Sequence, residues 1–171
     1  MSNESISNGL NPYLQVAGWG FMAGLRSMAA PALLSEHLRQ HPSPYLAGSW
    51  FGLLSSPTVA TLFKLLAAGE IVADKLPILP PRTATGPLLG RAVVGALVGA
   101  ALAAATGKRP AIGAVIGGLA AVAGAHAGYY LRTGLEKRLQ APDPLVAIFE
   151  DMAVLAGLSL LRSELANEIS E

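Results

Sequence analysis

The chain has no cysteine, which excludes a disulfide framework, thiolate chemistry and cysteine metal ligands. Charge is also scarce: Asp, Glu, Lys and Arg make up 13% of 171 residues, against about 25% in an ordinary soluble domain. So few charges cannot clothe a soluble core of this size. The two signs nearly cancel, leaving a net charge of +1 and no basic block, which argues against nucleic acid as a partner. The first dozen residues hold Glu4 and no Lys or Arg. The basic start of a secretory signal is therefore missing, and the first apolar segment is expected to be retained. No phosphate loop, Gly-x-Ser-x-Gly elbow or His-Glu-x-x-His pair occurs, so no catalytic residue, cofactor or metal is expected.

What is present is apolar sequence, 52% of the chain, in five blocks: 13–34, 53–74, 87–106, 110–131 and 144–161. Each is long enough, or nearly so, to cross ~30 Å of hydrocarbon at about 1.5 Å per helical residue. The expected fold is all-α, a polytopic transmembrane bundle of about five spans. Residues 1–12 would form an N-terminal tail, 13–161 the helical domain, and 162–171 a polar, frayed tail. Pro77, Pro80 and Pro81 exclude regular helix between the second and third blocks. Only Gly107, Lys108 and Arg109 separate the third block from the fourth, so those helices should be antiparallel neighbours, with Pro110 in the first turn of the fourth. If all five blocks cross in alternation, Lys75, Arg82, Arg91, Arg132, Lys137 and Arg138 fall on the N-terminal side. Arg39, Lys108, Arg109 and Arg162 fall opposite, and the positive-inside rule then puts the N-terminus in the cytoplasm.

Glycines recur four apart: Gly20 and Gly24, Gly86 and Gly90, Gly95 and Gly99, Gly113 and Gly117, Gly124 and Gly128. Residues four apart share a helix face, so these pairs mark seams where backbones can approach closely. Leu25-Arg26-Ser27 in the first block is matched by Leu131-Arg132-Thr133 in the fourth, each with a glycine eight positions before the arginine. Each such block is followed by one bearing acids. This is the pattern of an inverted-topology repeat.

Ionisable residues inside apolar blocks carry the functional argument. A charge at the bilayer centre costs roughly 2.5–3.5 kcal/mol on insertion scales, so several must face one another or a polar cavity. Arginine cannot shed its proton, and its planar fork holds carboxylates. The expected site therefore joins Arg26, Ser27 and Arg132 to Glu70, Asp74, Glu150 and Asp151, with Arg26 paired to Glu70 or Asp74. Pro31 removes the helical N–H bond that would reach Ser27, so the helix should kink or break there. Broken helices at membrane depth are tolerated where they line a cavity. Lys75, Arg82 and Arg91 are expected at the interface, where they can attract a lipid phosphate.

Other residues point to packing. His37 and His41 stand four apart, but Pro42 follows and no third ligand is near, so they read as solvated loop residues rather than a metal pair. His126 reads as a hydrogen-bonded packing histidine, and Lys64 snorkels or joins the charged network. Trp19, Trp50, Tyr13, Tyr45, Tyr129 and Tyr130 read mostly as interfacial anchors.

Gly24-Leu-Arg-Ser-Met-Ala-Ala-Pro31, Gly69-Glu-Ile-Val-Ala-Asp-Lys-Leu-Pro77, Pro80-Pro-Arg-Thr83 and Gly90-Arg91 resemble signature segments of a bacterial domain-of-unknown-function family numbered 4126, and Glu150-Asp151 fits its pattern. The resemblance runs from about Gly18 to Leu160. It implies a small polytopic inner-membrane protein and brings no activity with it. Two classes of function lead from the residues themselves, and an enzyme acting on a lipid phosphate held by Lys75, Arg82 and Arg91 ranks third for want of a nucleophile. One is a transporter or channel-like protein, a homo-oligomer, whose site takes an anionic or zwitterionic solute or a lipid phosphate. The other is a membrane scaffold whose charges only lock helices together.

Overall fold

The computed structural model describes residues 11–73, 84–139 and 143–170, with side chains at 11–72, 84–134, 148 and 151–165. Among these residues all regular structure is helical. Helix α1, Pro12–Leu25, opens with Pro at its first position and Asn11 as N-cap, whose Oδ1 accepts from Tyr13 N–H at 2.9 Å. Helix α2 runs Ala29–Gln40. Between them Arg26 is extended, with φ −143° and ψ 107°. The location of the break is written locally: Pro31 has no N–H to offer Ser27, and its ring would clash with the Ser27 carbonyl in a continuous helix. Pro31 instead sits in the first turn of α2, where that N–H has no intrahelical partner to lose.

Two 3-10 turns, Pro44–Leu46 and Trp50–Ser55, lead to α3, Pro57–Ala73. Helix α4, Thr85–Ala105, and helix α5, Pro110–Leu139, are joined by a tight turn. There Lys108 N–H reaches Ala103 O at 2.7 Å and Gly107 N–H reaches Ala104 O at 3.1 Å, a Schellman closure that needs a left-handed residue. Gly107 supplies it with φ 68°. Gly107→Val should therefore cost about 1–2 kcal/mol of stability through left-handed strain, with added crowding against Tyr45, whose ring lies 3.2 Å from a Cβ built there. Thermal unfolding of the detergent-solubilised protein measures this, and Gly107→Asn should recover part of the loss. Helix α6 spans Asp143–Ser170.

The directions of the helices follow from which residues meet. A Cβ on Gly20 would meet Gly117 O, and one on Gly24 would meet Ala121 O, so α1 and α5 run parallel. Gly95 faces Gly117 and Gly99 faces Gly113, so α4 and α5 run antiparallel, as the short turn requires. These three helices form the close-packed centre. Gly86 and Gly90 take no part in it among the described residues, since a Cβ built on either meets none of their atoms within 4 Å.

Helix α6 runs against α1, since Gly18 meets Leu161, Gly157 meets Met22, and Asp151 pairs with Arg26. It runs with α2, because the same Asp151 lies at the start of α2 and Arg162 reaches Gln40 at 2.6 Å near its end. Helices α1 and α2 therefore form a hairpin whose tip is Arg26-Ser27-Met28. The returning arm is held by Ser35 Oγ donating to Leu54 O at 2.5 Å and Ser43 Oγ to Ala105 O at 2.6 Å.

This corrects several expectations. Block 13–34 is not one continuous helix but parts of two, Pro12–Leu25 and Ala29–Gln40, that run in opposite directions. The proposed equivalence of Leu25-Arg26-Ser27 with Leu131-Arg132-Thr133 fails locally: the first interrupts a helix, whereas the second continues inside α5, with Thr133 Oγ1 donating to Tyr129 O at 2.9 Å. The segment from Arg162 is helix rather than a loose tail, and Leu165 is buried. Trp19 is fully buried in the core and not an interfacial anchor, while Trp50 is 88% exposed. His37 is no solvated loop residue either. It lies buried on α2, 5.0 Å from the His41 ring, and neither of its ring nitrogens has a hydrogen-bond partner among the described residues. Two helices, Thr85–Ala105 and the Pro110–Gly134 part of α5, are long and apolar enough to cross a membrane.

Candidate functional site

Breaking a helix exposes carbonyls at one stump and N–H groups at the other, and each must find a partner. At the hairpin tip both sets are met by side chains from distant helices. Glu70 of α3 accepts from Ser27 N–H at 3.0 Å, Ser27 Oγ at 2.6 Å and Met28 N–H at 2.9 Å. Its carboxylate thus sits where α2 begins, at the positive end of that helix's dipole. Arg91 of α4 donates from Nη1 to Gly24 O at 2.5 Å and Leu25 O at 2.9 Å, placing a cation at the negative end of α1. The two side chains also face each other, with Arg91 Nη2 3.6 Å from Glu70 Oε1. Both are largely out of solvent, at 7% and 13% side-chain exposure, where charge-assisted bonds are stronger than at a wet surface.

With the tip held open, Arg26 is projected away from α1 and forms an ion pair with Asp151 of α6. That pair closes one end of a half-open cavity of about 290 Å³ between α2, α3 and α6. The walls are Ala29, Ala32 and Leu33, Ala67, Ala68 and Ile71, and Val154 and Leu155, with Lys64 at the other polar end. Lys64 is tied to Glu36 at 2.8 Å, and Glu36 also accepts from Arg39 Nη2 at 2.6 Å and Gln40 Nε2 at 2.5 Å. The arrangement can hold an apolar body with a charged group at Arg26. Among the described residues no group of three or more His, Asp or Glu is placed to hold a metal ion.

The expected residues divide as follows. Arg26, Ser27, Glu70 and Asp151 do meet at one level of the bundle. Arg26, expected against Glu70 or Asp74, pairs with Asp151, and Glu70 is given to the hairpin tip and Arg91; the expected partner Asp74 lies outside the described residues. Asp74, Lys75 and Arg82 lie outside the described residues, as does the side chain of Glu150. Arg132 stands seven residues beyond Ala125, whose backbone adjoins Gly24, which is about 10 Å further along α5. Arg91, expected at the interface, is instead 6% exposed and central. Its place inside an apolar block, one residue after Gly90, was the available signal. His126 Nδ1 lies 2.9 Å from Val122 O, as a packing histidine should.

A family model described as Domain of unknown function (DUF4126) matches residues 13–163. The chain belongs to that family. No curated protein and no solved structure matches it. Glu70, Arg91, Arg26 and Asp151 all fall inside the matched region, but the family brings no activity to assign to them.

Proposed function

We propose that the protein is a small multi-pass protein of the bacterial inner membrane that moves or binds an anionic or zwitterionic compound at the Arg26–Asp151 pair, without covalent chemistry. Helices α3 to α6 cross the bilayer, and α1–α2 is a re-entrant hairpin. Support comes from a surface that is apolar where a soluble protein's is polar. Leu65, Val72, Leu89, Val93, Leu119 and Leu160 are each more than 60% exposed, while Arg26 and Arg91 are buried. Along α4, Arg91 lies about 9 Å from Thr85 and about 21 Å from Ala105, so the tip sits inside the ~30 Å hydrocarbon layer. Irregular backbone at that depth is tolerated where it lines a cavity. With a hairpin in place of the first crossing, both termini share one side with Arg39, Lys108, Arg109 and Arg162. The more basic α3–α4 and α5–α6 ends face the cytoplasm, which reverses the orientation expected from five crossings.

The observation that carries the transport reading is the cavity reaching Arg26 and Asp151. A second reading, a scaffold whose charges lock helices, is favoured for Glu70 and Arg91, because their bonds are spent on the two stumps of the broken helix. Asp151→Asn separates the two. Flux of anions and zwitterions into proteoliposomes should fall by about tenfold or more per folded molecule, beyond any loss of folded protein, because Asp151 borders the cavity and its side chain is 24% exposed. Flux that declines only in step with the amount of folded protein would leave the scaffold reading in its place.

A further inference from the structure

We propose that His37 and His41 together form a seat for one divalent transition-metal ion, at the end of α2 remote from the hairpin tip. The seat is separate from the cavity and does not rest on the transport reading. The two histidines stand four apart, and His41 N–H still donates to His37 O at 2.8 Å. One unbroken helical turn therefore puts both side chains on one face. Their ring centres are 5.0 Å apart, with the planes 34° from parallel. Two imidazoles that share a metal at about 2.0–2.1 Å have centres about 4.5–5.3 Å apart, for bond angles between square and tetrahedral. The pair already stands at chelating distance.

Burial points the same way. His37 is fully buried, and both its ring nitrogens lack a hydrogen-bond partner among the described residues. An imidazole out of water with neither nitrogen bonded is costly, and coordination relieves it without breaking any existing bond. Whichever nitrogen turns to His41 has a lone pair to give, because the tautomer is free to adjust. His41 is exposed, so the ion arrives from water and keeps water in its remaining positions. Donor chemistry sets the class. Imidazole suits Cu²⁺, Ni²⁺ and Zn²⁺, with Cu²⁺ held most tightly, whereas Mg²⁺ and Ca²⁺ need oxygen ligands. The carboxylate on α2, Glu36, gives its oxygens to Arg39, Gln40 and Lys64, so a hard cation gains nothing here. Arg162, held on Gln40 at 2.6 Å, opposes a cation beside it and keeps the affinity in the micromolar range.

The chain has three histidines, and the third, His126, lies on α5, so the ligands can be counted. The test uses the full chain without an affinity tag, stripped with chelator in detergent and titrated with Cu²⁺. One ion per chain should bind at micromolar concentration, and pulsed EPR should count two coordinated imidazoles. His41→Ala should weaken binding by about tenfold or more and leave at most one imidazole. Its metal-free melting temperature should equal wild type, because the His41 side chain is exposed. His126→Asn should change neither the affinity nor the imidazole count. Excess Zn²⁺ should compete for the ion's place, and Mg²⁺ at the same excess should not. Binding no tighter than that of His41→Ala, a spectrum with a single imidazole, or displacement by Mg²⁺ overturns the proposal. Loss of the ion in His126→Asn at an unchanged melting temperature would put the metal on α5 and overturns it as well.

Discussion

Glu70→Ala should be the most damaging single substitution in the protein, lowering stability by about 3–5 kcal/mol, the usual cost of removing one partner from a buried charge pair. Three donors, Ser27 N–H, Ser27 Oγ and Met28 N–H, lose their acceptor at once. Arg91 also loses a carboxylate that lies 3.6 Å from its Nη2. Glu70→Gln should rescue little. A glutamine offers one acceptor oxygen, and its amide N–H₂ would point a donor at a donor. The measurement is thermal unfolding in detergent, read alongside yield of folded protein. Arg91→Met added to Glu70→Ala should cost less than Arg91→Met alone, because members of one network are not additive. A Glu70→Ala melting temperature equal to wild type would show that the broken helix does not depend on this cap.

Gly117→Leu should be nearly as severe, for a different reason. A Cβ at Gly117 would run into Gly95 O and lie 3.0 Å from Gly99 Cα. The obstacles are backbone atoms, which cannot swing aside as a side-chain tip would. Overpacking of this kind costs about 1–3 kcal/mol or more, and here it would prise α5 from α4 at a point where the Gly117 backbone is also packed closely on Gly20 of α1. Gly90→Leu is the matched control. Among the described residues nothing lies within 4 Å of a Cβ at Gly90, so its melting temperature should stay near wild type. Equal behaviour of the two variants would mean that the glycine seam does not hold the centre together.

The two substitutions also mark how far the residues alone could be read. The glycine seam was legible because i, i+4 spacing on a helix fixes a shared face whatever packs on it. The same periodicity gave Gly86 and Gly90 equal standing, yet among the described residues nothing packs on them. Spacing tells which residues share a face; it does not tell which face is covered. The α4–α5 turn was legible because Gly107-Lys108-Arg109 is too short for any other geometry. The interruption near Ser27 was legible from Pro31, a steric fact four residues long.

What the amino-acid sequence determined by itself, then, is local: apolar helices of given length, a kink or break near residue 27, a tight α4–α5 hairpin, and a few charges that cannot be left alone. Tertiary structure decided whether the chain continues or reverses at the break, and which charge answers which. The bare stumps of a broken helix accept any donor or acceptor of the right sign. Their choice of Glu70 and Arg91, 42 to 67 residues away in the chain, rests on how α3 and α4 pack against the hairpin. Once those two were committed to the tip, Asp151 on α6 answered Arg26, and the space left between the alanines of α2 and α3 became the cavity. Pairing by charge has no period and no fixed separation along the chain, so only the assembled helices could select it.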